Sequence, residues 1–233
     1  LLVAAFRGGV GDARGGIVHV VPGDTLLLGS GRVAVSEREI ARVRGADSDD
    51  ALRGLAVADT DGDGRSELVL GACHADAKGG RRVDAGMVYV LPLELLLAER
   101  DVLLPDGATV VFEGPTARGF LGRSIAAGDI DGNGTDDRAL AAYSSGIDPE
   151  RQSAHGQLVI VFGPPPGPPH LVDLGSSDLA TIHGAGRWDL FGLPTLLADL
   201  NGDRSDDIIA AAQFASPDDE ATRGAVYVIW GSL

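Results

Sequence analysis

Three short segments of the chain place oxygen-bearing side chains at alternate positions of a turn. Each begins with Asp and offers side-chain oxygen at positions 1, 3, 5 and 9, and a backbone carbonyl is available at position 7. The side-chain positions are Asp59, Asp61, Asp63 and Glu67 in loop 1, Asp129, Asp131, Asn133 and Asp137 in loop 2, and Asp199, Asn201, Asp203 and Asp207 in loop 3. The carbonyl positions are Arg65, Thr135 and Ser205. Alternate residues of a tight loop converge, and Ca²⁺ takes about six to eight oxygen ligands, so the spacing predicts up to three Ca²⁺ sites.

The same loops predict that folding and ion binding are coupled. Several acids in one turn repel one another unless a cation lies between them. Loop 3 is expected to be the weakest site, because Arg204 stands where Gly64 and Gly134 stand in the other two loops. That position is expected to need a positive φ, which costs a non-glycine residue about 1 kcal/mol or more. Asp136 lies out of the ligand phase, and its replacement is expected to do little.

Two other interpretations share the acidic spacing. An EF-hand opens in the same way but needs an acid at position 12, where this chain has Leu70, Leu140 and Ala210. Solvated hairpin turns are the plainer alternative for a single Asp-Gly loop. Three loops at one phase favour the metal interpretation.

The loops recur at a fixed period. Their first residues lie 70 apart twice, since 129 − 59 and 199 − 129 are both 70. A glycine that opens an apolar run recurs as Gly16, Gly86, Gly156 and Gly224, at separations of 70, 70 and 68. At 233/70, or about 3.3 units, the chain divides into 1–23 (the end of a unit) and repeats at about 24–93, 94–163 and 164–233.

Within each unit the hydrophobic pattern is that of β-strands. Short runs rich in β-branched residues alternate with Gly, Asp and Pro, as expected for strands in an all-β protein. The predicted strands are 54–58, 68–72, 86–91 and 109–112, then 122–127, 138–143, 156–162 and 179–183, then 192–198, 208–212 and 224–230. The run 93–100 fits either a short helical turn or a strand with a polar edge. Four antiparallel strands per repeat predict that each repeat forms one blade of a β-propeller. A propeller needs at least about four blades to close into a ring.

Composition limits the classes of partner. Asp and Glu number 34 against 19 Lys and Arg, a net charge of −15 that repels nucleic acid and anionic membranes. No apolar run approaches the roughly 20 residues of a membrane span, so membrane insertion is not expected. The single cysteine, Cys73, excludes an internal disulfide and a cysteine-rich zinc site.

The loops and their flanks resemble the FG-GAP repeats of the integrin α-chain propeller. The likeness lies in Phe191-Gly192, in Phe120-Leu121-Gly122 with one residue inserted, and in the run Leu-Val-Leu-Gly-Ala at 68–72. It implies a seven-bladed ring, Ca²⁺ held between the first two strands of a blade by the positions named above, and an extracellular protein. Arg204, Arg53 before Gly54 and the long repeat depart from the family pattern. The amino-acid composition resembles that of a bacterial member of the family. The start of the chain at Leu1, directly on a predicted strand, suggests a fragment of a larger ring.

The resemblance and the loop lengths predict where a partner binds. Alternating strands put the acidic loops on one face and the loops 73–85, 144–155, 213–223 and 184–190 on the other. We expect a protein or glycan ligand on that opposite face, where Trp188 is a candidate contact. The stretch 164–169, rich in proline, is expected to be a stiff connector on the acidic face.

Catalysis is not expected within this chain. His19, His74, His155, His170 and His183 share no metal-ligand spacing, and Ser124 lies in no nucleophile elbow. The leading interpretation is a calcium-stabilised adhesion or ligand-binding scaffold. The alternative is a propeller attached to a secreted hydrolase or phospholipase whose catalytic domain lies outside this segment.

Overall fold

The computed structural model describes residues 2–5, 15–23, 34–47, 49–77, 79–145, 154–163, 170–176, 179–216 and 223–231. Regular structure in these ranges is almost entirely β, in antiparallel sheets that follow one another along the chain, which confirms the predicted propeller blades. The proposed connector 164–169 lies outside the described residues, as do parts of the loops 144–155 and 213–223. The described residues include no helix with the length and hydropathy of a membrane span.

Blade 1 contains β1 (Leu2–Ala5), β2 (Ile17–Val20) and β3 (Ala41–Arg44), paired antiparallel in chain order. A single turn of 3₁₀ helix, Val35–Glu37, precedes β3.

Blade 2 contains β4 (Leu52–Ala58), β5 (Glu67–Ala72), β6 (Met87–Pro92) and β8 (Val110–Glu113). The connection from β6 to β8 holds α1 (Leu93–Glu99), which buries Leu96, and the short strand β7 (Asp101–Leu103). The run 93–100 is therefore helical, one of the two predicted alternatives.

Blade 3 contains β9 (Leu121–Gly128), β10 (Asp137–Ala142), β11 (Gln157–Val161) and β13 (Ala180–His183), with β12 (His170–Asp173) in the connection before β13. Blade 4 contains β14 (Phe191–Ala198), β15 (Asp207–Ala212) and β16 (Ala225–Ile229). The repeat boundaries at 93/94 and 163/164 fall between the third and fourth strands of blades 2 and 3, so a sequence repeat is offset from a blade.

Two strands leave their own blade and join the one before it. β7, from the connection within blade 2, pairs parallel with β3 at the outer edge of blade 1. β12, from the corresponding connection of blade 3, pairs parallel with β8 at the outer edge of blade 2. The sequence pattern did not indicate either strand. Blades 1 and 2, and likewise blades 2 and 3, are thereby joined by backbone hydrogen bonds as well as by side-chain packing.

Apolar side chains fill the space between successive blades. Val18 and Val43 of blade 1 pack with Leu68, Leu70 and Leu91 of blade 2 in one buried cluster. The other face of blade 2 packs on blade 3 in a second cluster, and blade 3 packs on blade 4 in a third. The strands are buried on both faces wherever a blade lies between two neighbours, which explains the continuous burial of β5 and β10.

The glycine of the Phe-Leu-Gly segment allows two blades to touch backbone to backbone. A Cβ atom added to Gly71 of β5 would lie 1.9 Å from the carbonyl oxygen of Gly122 in β9. Gly122 has a φ of 85° and sits at a shift in the pairing register of β9 with β10. Register shifts occur at the corresponding points of β4 and β14. The glycine therefore serves a β-bulge and a close approach at once.

Candidate metal centres

The three acidic loops occupy equivalent places in three blades. Each connects the first strand of its blade to the second: loop 1 joins β4 to β5, loop 2 joins β9 to β10, and loop 3 joins β14 to β15. This is the position that the sequence predicted. The inner strands β4, β9 and β14 lie next to one another in succession, so the loops follow one another along the same edge of the blades.

The first acid of each loop is held by the backbone of its own turn. Asp59 Oδ1 accepts hydrogen bonds from the N–H groups of Gly62 (2.9 Å) and Asp63 (3.1 Å), and Asp59 Oδ2 accepts one from Gly64 (2.9 Å). Asp199 accepts from the three corresponding N–H groups of loop 3, and Asp129 accepts from those of positions 5 and 6 in loop 2. The turn thus fixes both oxygens of its position-1 carboxylate.

Positions 3 and 5 follow the same rule. The position-3 side chain accepts a hydrogen bond from the N–H of position 5. Asp61 Oδ1 accepts from the Asp63 N–H, and Asp131 Oδ1 from the Asn133 N–H, both at 3.2 Å. The position-5 side chain accepts from the N–H of position 7, at 2.8 Å in loops 1 and 2 and 2.9 Å in loop 3. In each loop, the side chains at positions 1, 3 and 5 are therefore held against the backbone of their own turn.

Two of the loops bring their acids close enough to share a cation. Carboxylate oxygens of Asp59, Asp61 and Asp63 lie within 4.8 Å of one another, and so do those of Asp129, Asp131 and Asp137. Such a cluster of hard oxygen donors suits Ca²⁺ or Mg²⁺ rather than a softer metal. The donor set therefore fits the ion that the spacing predicted.

The position-9 acids are buried at the start of the second strand. Oxygens of Glu67, Asp137 and Asp207 accept from the backbone N–H of position 2 in their own loops, at 2.9, 2.9 and 3.0 Å. Burial raises the pKa of Glu67 and of Asp137, and the charges of nearby acids, among them Asp61 and Asp131 respectively, raise it further. A cation in the loop would offset both effects.

Position 6 of loop 3 has the positive φ that the sequence indicated. Arg204 has a φ of 78°, in the left-handed region, as do Gly64 and Gly134 at the same position. The Asn201 amide donates to Asp203 Oδ2 at 2.8 Å, so part of the oxygen array is engaged within the loop. Ligation by the fifteen predicted positions, including the carbonyls of Arg65, Thr135 and Ser205, stays a prediction.

The loops also touch each other, which the spacing did not indicate. Asp136, expected to do little, accepts a hydrogen bond from the N–H of Asp59 in the preceding blade at 2.8 Å. Its own N–H donates to the Asp59 carbonyl at 3.0 Å. The expectation for Asp136 considered its own loop alone, whereas its contact is with the neighbouring one.

The loops of the opposite face also meet between blades. The N–H of Phe120 donates to the Asp84 carbonyl (3.1 Å), and that of Phe214 to the Asp189 carbonyl (3.3 Å). Trp188 is 57% exposed and Phe214 is 50% exposed on this face. His74 Nδ1 lies 2.9 Å from Asp84 Oδ1, beside the edge of the Phe120 ring.

Ser124, which lies in no nucleophile elbow, contacts the next blade. Its Oγ accepts a hydrogen bond from the Thr195 N–H of the next blade at 2.9 Å.

Comparison with known proteins agrees with this architecture. A family model described as FG-GAP repeat matches residues 51–91, which hold loop 1 and its flanking strands. Phosphatidylinositol-glycan-specific phospholipase D from Bos taurus is 31% identical over 162 residues, or 69% of this chain and 18% of the bovine protein. Integrin alpha-IIb from Homo sapiens is 30% identical over 159 residues, or 64% of this chain and 14% of the integrin. Integrin alpha pat-2 from Caenorhabditis elegans is 28% identical over 189 residues, 76% of this chain and 13% of that protein.

The blades and their acidic hairpins define a β-propeller repeat protein. With the family match and the similarity to integrin α chains, the chain belongs to the FG-GAP repeat proteins. It spans less than a fifth of the length of the relatives named above.

Proposed function

We propose that the chain is a calcium-stabilised β-propeller segment that serves as a non-catalytic scaffold for ligand binding. The observation that carries the proposal is the shared geometry of the loops, in which backbone N–H groups donate to the side chains at positions 1, 3 and 5. Bound Ca²⁺ would neutralise crowded carboxylates, and three ions would change the net charge from −15 to −15 + 6 = −9. Occupied loops would then stiffen one face of the blades, with loop 3 as the weakest site.

Titration of the chelated protein with Ca²⁺ during thermal unfolding tests this proposal. The melting temperature should rise with ion concentration, since an ion that binds only the folded state stabilises it. Asp61→Ala and Asp131→Ala should each reduce the number of ions bound by one in isothermal titration calorimetry. Glu99→Ala, an exposed acid at the end of α1, is the control for loss of one charge. A melting curve that ignores Ca²⁺ would contradict the proposal.

We assign ligand recognition to the face opposite the acidic loops, with a protein or glycan as the partner class. The exposed rings of Trp188 and Phe214 support this choice, because aromatic side chains supply large contact areas at low entropic cost. The net charge makes nucleic acid an unfavourable partner.

A glycan array and a panel of purified cell-surface proteins should show binding that the double substitution Trp188→Ala with Phe214→Ala reduces. Phe162→Ala, which removes an exposed ring at the other end of β11, is the matched control. Equal binding by all variants would contradict the assignment.

Blade 4 supports membership of a larger ring. Leu196, Val226 and Val228 are 59%, 67% and 46% exposed, whereas their counterparts Ala126, Leu158 and Ile160 in blade 3 are buried against blade 4. Each interface between described blades is formed by such a face. A further blade of the same kind is therefore the occupant that this face fits. The family resemblance supports the proposal of a seven-bladed ring and an extracellular location.

A second candidate follows from the phospholipase relatives. Three of them, all named phosphatidylinositol-glycan-specific phospholipase D, are 30–31% identical to 69% of this chain. The segment would then be the propeller part of a longer hydrolase. The purified 233-residue chain should leave a phosphatidylinositol-glycan-anchored protein uncleaved, and cleavage would overturn the non-catalytic assignment. A catalytic domain encoded beside this segment would favour the second candidate over the first.

A further inference from the structure

The contact between loops 1 and 2 consists of two hydrogen bonds between the same two residues. Asp136, at position 8 of loop 2, donates its N–H to the Asp59 carbonyl (3.0 Å) and accepts the Asp59 N–H at Oδ2 (2.8 Å). Asp59 is the position-1 acid of loop 1. One residue of loop 2 therefore fixes both backbone polar groups of the residue that carries the first candidate ligand of loop 1.

The same arrangement occurs between loops 2 and 3. Asp206, at position 8 of loop 3, donates its N–H to the Asp129 carbonyl at 2.7 Å. The Asp206 carboxylate also lies beside the Asp129 backbone. A Cβ atom built on Gly128 would lie only 2.0 Å from Asp206 Oδ2. Two separate interfaces thus use the same position of one loop and the same position of the preceding loop.

Position 7 adds a packing contact at both interfaces. A Cβ atom built on Gly62 would lie 2.9 Å from Thr135 Oγ1, and one built on Gly132 would lie 2.8 Å from Ser205 Oγ. Residues 7 and 8 of each later loop therefore lie against residues 4 and 1 of the earlier one. Position 9, directly after them, is the buried acid of the later loop.

We propose that Asp136 and Asp206 are positioning residues that couple neighbouring metal loops, so that Ca²⁺ in one loop raises the affinity of the adjacent loop. Asp136 lies between two candidate ligands of loop 2, the Thr135 carbonyl and the Asp137 carboxylate. An ion in loop 2 restrains residues 135–137 and thereby the groups that hold Asp59. Because coupling between two sites is reciprocal, an ion in loop 1 favours loop 2 by the same factor. This inference rests on the proposed calcium binding.

Calorimetric Ca²⁺ titration of the full chain measures the coupling between loops 1 and 2. Asp203→Ala disables loop 3 in every variant, and Asp131→Ala is added to disable loop 2. The coupling factor is the affinity of loop 1 when loop 2 can load, divided by its affinity when loop 2 cannot. We expect a factor of about five or more, at the lower end of ordinary coupling between sites.

Substitutions at Asp136 separate positioning from charge. Asp136→Ala removes the acceptor and should bring the factor to about one. Asp136→Asn removes the charge but keeps an oxygen that accepts the Asp59 N–H, and should preserve the factor. Glu99→Ala should leave it unchanged. A merely structural role for Asp136 would lower affinity at loop 1 equally with loop 2 intact or disabled, and would not change the ratio.

The outcomes distinguish this inference from the proposed function. If the parent chain binds no Ca²⁺, both fail. If it binds Ca²⁺ with a coupling factor near one, or with a factor that Asp136→Ala leaves intact, the coupling role of Asp136 is overturned while calcium binding stands. Thermal unfolding in chelator shows which variants fold. Should Asp136→Ala not fold, Asp206→Ala and Asp206→Asn repeat the cycle for loops 2 and 3, with loop 1 disabled by Asp61→Ala.

Discussion

The guanidinium of Arg138 lies over the ring of Phe112, with its central carbon 5.9 Å from the ring centroid, inside the interface between blades 2 and 3. Arg138 is fully buried, and its Nη2 donates to the Gly163 carbonyl. Its Nε and Nη1 have no hydrogen-bond partner among the described residues. Burial lowers the pKa of Arg138 to about 10, although Asp137 and Glu67 act in the opposite direction. The surroundings therefore disfavour the charge that this side chain carries.

Arg138→Met should stabilise the chelated protein. Methionine keeps much of the volume and the contact with Phe112 but removes a buried charge that few hydrogen bonds compensate. Replacement of such a charge by a packed apolar group is often stabilising by about 1–4 kcal/mol, and we expect the lower part of that range. Urea unfolding at pH 7 in chelator measures the change. Arg138→Ala should instead destabilise, because it leaves a cavity. A methionine variant less stable than the parent would show that the charge is well compensated.

Gly122→Ala should destabilise the chain by about 2–4 kcal/mol, since it combines backbone strain with a clash between blades. Its Cβ would lie 2.8 Å from the Gly71 Cα.

Gly80 provides a matched control for Gly122. It has the same φ of 85°, but an added Cβ would meet no atom within 4 Å. Gly80→Ala should therefore cost only the strain, about 1 kcal/mol. Equal costs for the two variants would mean that blades 2 and 3 do not approach at Gly122. Thermal and urea unfolding of both proteins provide the comparison.

The strands were predictable because each is local and periodic. The prediction of 138–143 against the observed β10, Asp137–Ala142, is typical of the agreement. β7 and β12 were not predictable in this way. β7 has three residues, too few to show alternation, and it exists because the edge of β3 lies beside it. Such pairing between distant segments depends on the assembled blades.

The convergence of the loop 1 acids was predictable for a related reason. Asp59, Asp61 and Asp63 converge within one turn, so their spacing alone describes their geometry. The role of Asp136 depends on the next blade, and spacing within a loop carries no information about it. The sequence signal that could have indicated it is the recurrence of Asp at position 8 in loops 2 and 3.

Asp50→Asn should stabilise the protein at neutral pH but not in acid. Burial raises the pKa of Asp50, against a hydrogen bond donated by the Asp47 N–H to Oδ2 at 3.0 Å. A raised pKa in the folded state means that the folded protein binds this proton more tightly than the unfolded chain. The stability contribution is therefore complete below the unfolded pKa and is lost as pH rises through the folded value.

The asparagine side chain keeps the acceptor for Asp47 and cannot ionise. The melting temperature should therefore rise by roughly 2 °C at pH 7 and change little at pH 3. Glu99→Gln, at an exposed acid, should show no such dependence on pH. A gain of equal size at both pH values would contradict the ionisation argument.

Arg204→Gly should strengthen loop 3. Arg204 keeps the hydrogen bond of its N–H to Asp199 Oδ2 at 3.0 Å, as Gly134 does to Asp129 at 2.8 Å, but at a φ of 78° that favours glycine. Removal of the Cβ relieves about 1 kcal/mol of strain, partly offset by the greater freedom of glycine in the unfolded chain. The melting temperature in chelator should therefore rise by about 1–3 °C.

The same substitution, Arg204→Gly, removes a positive charge beside loop 3 and should therefore also raise the affinity of that loop for Ca²⁺. The reverse change, Gly134→Arg, should lower both quantities in loop 2. If the two substitutions shift the melting temperature in the same direction, strain at position 6 does not explain the difference between the loops.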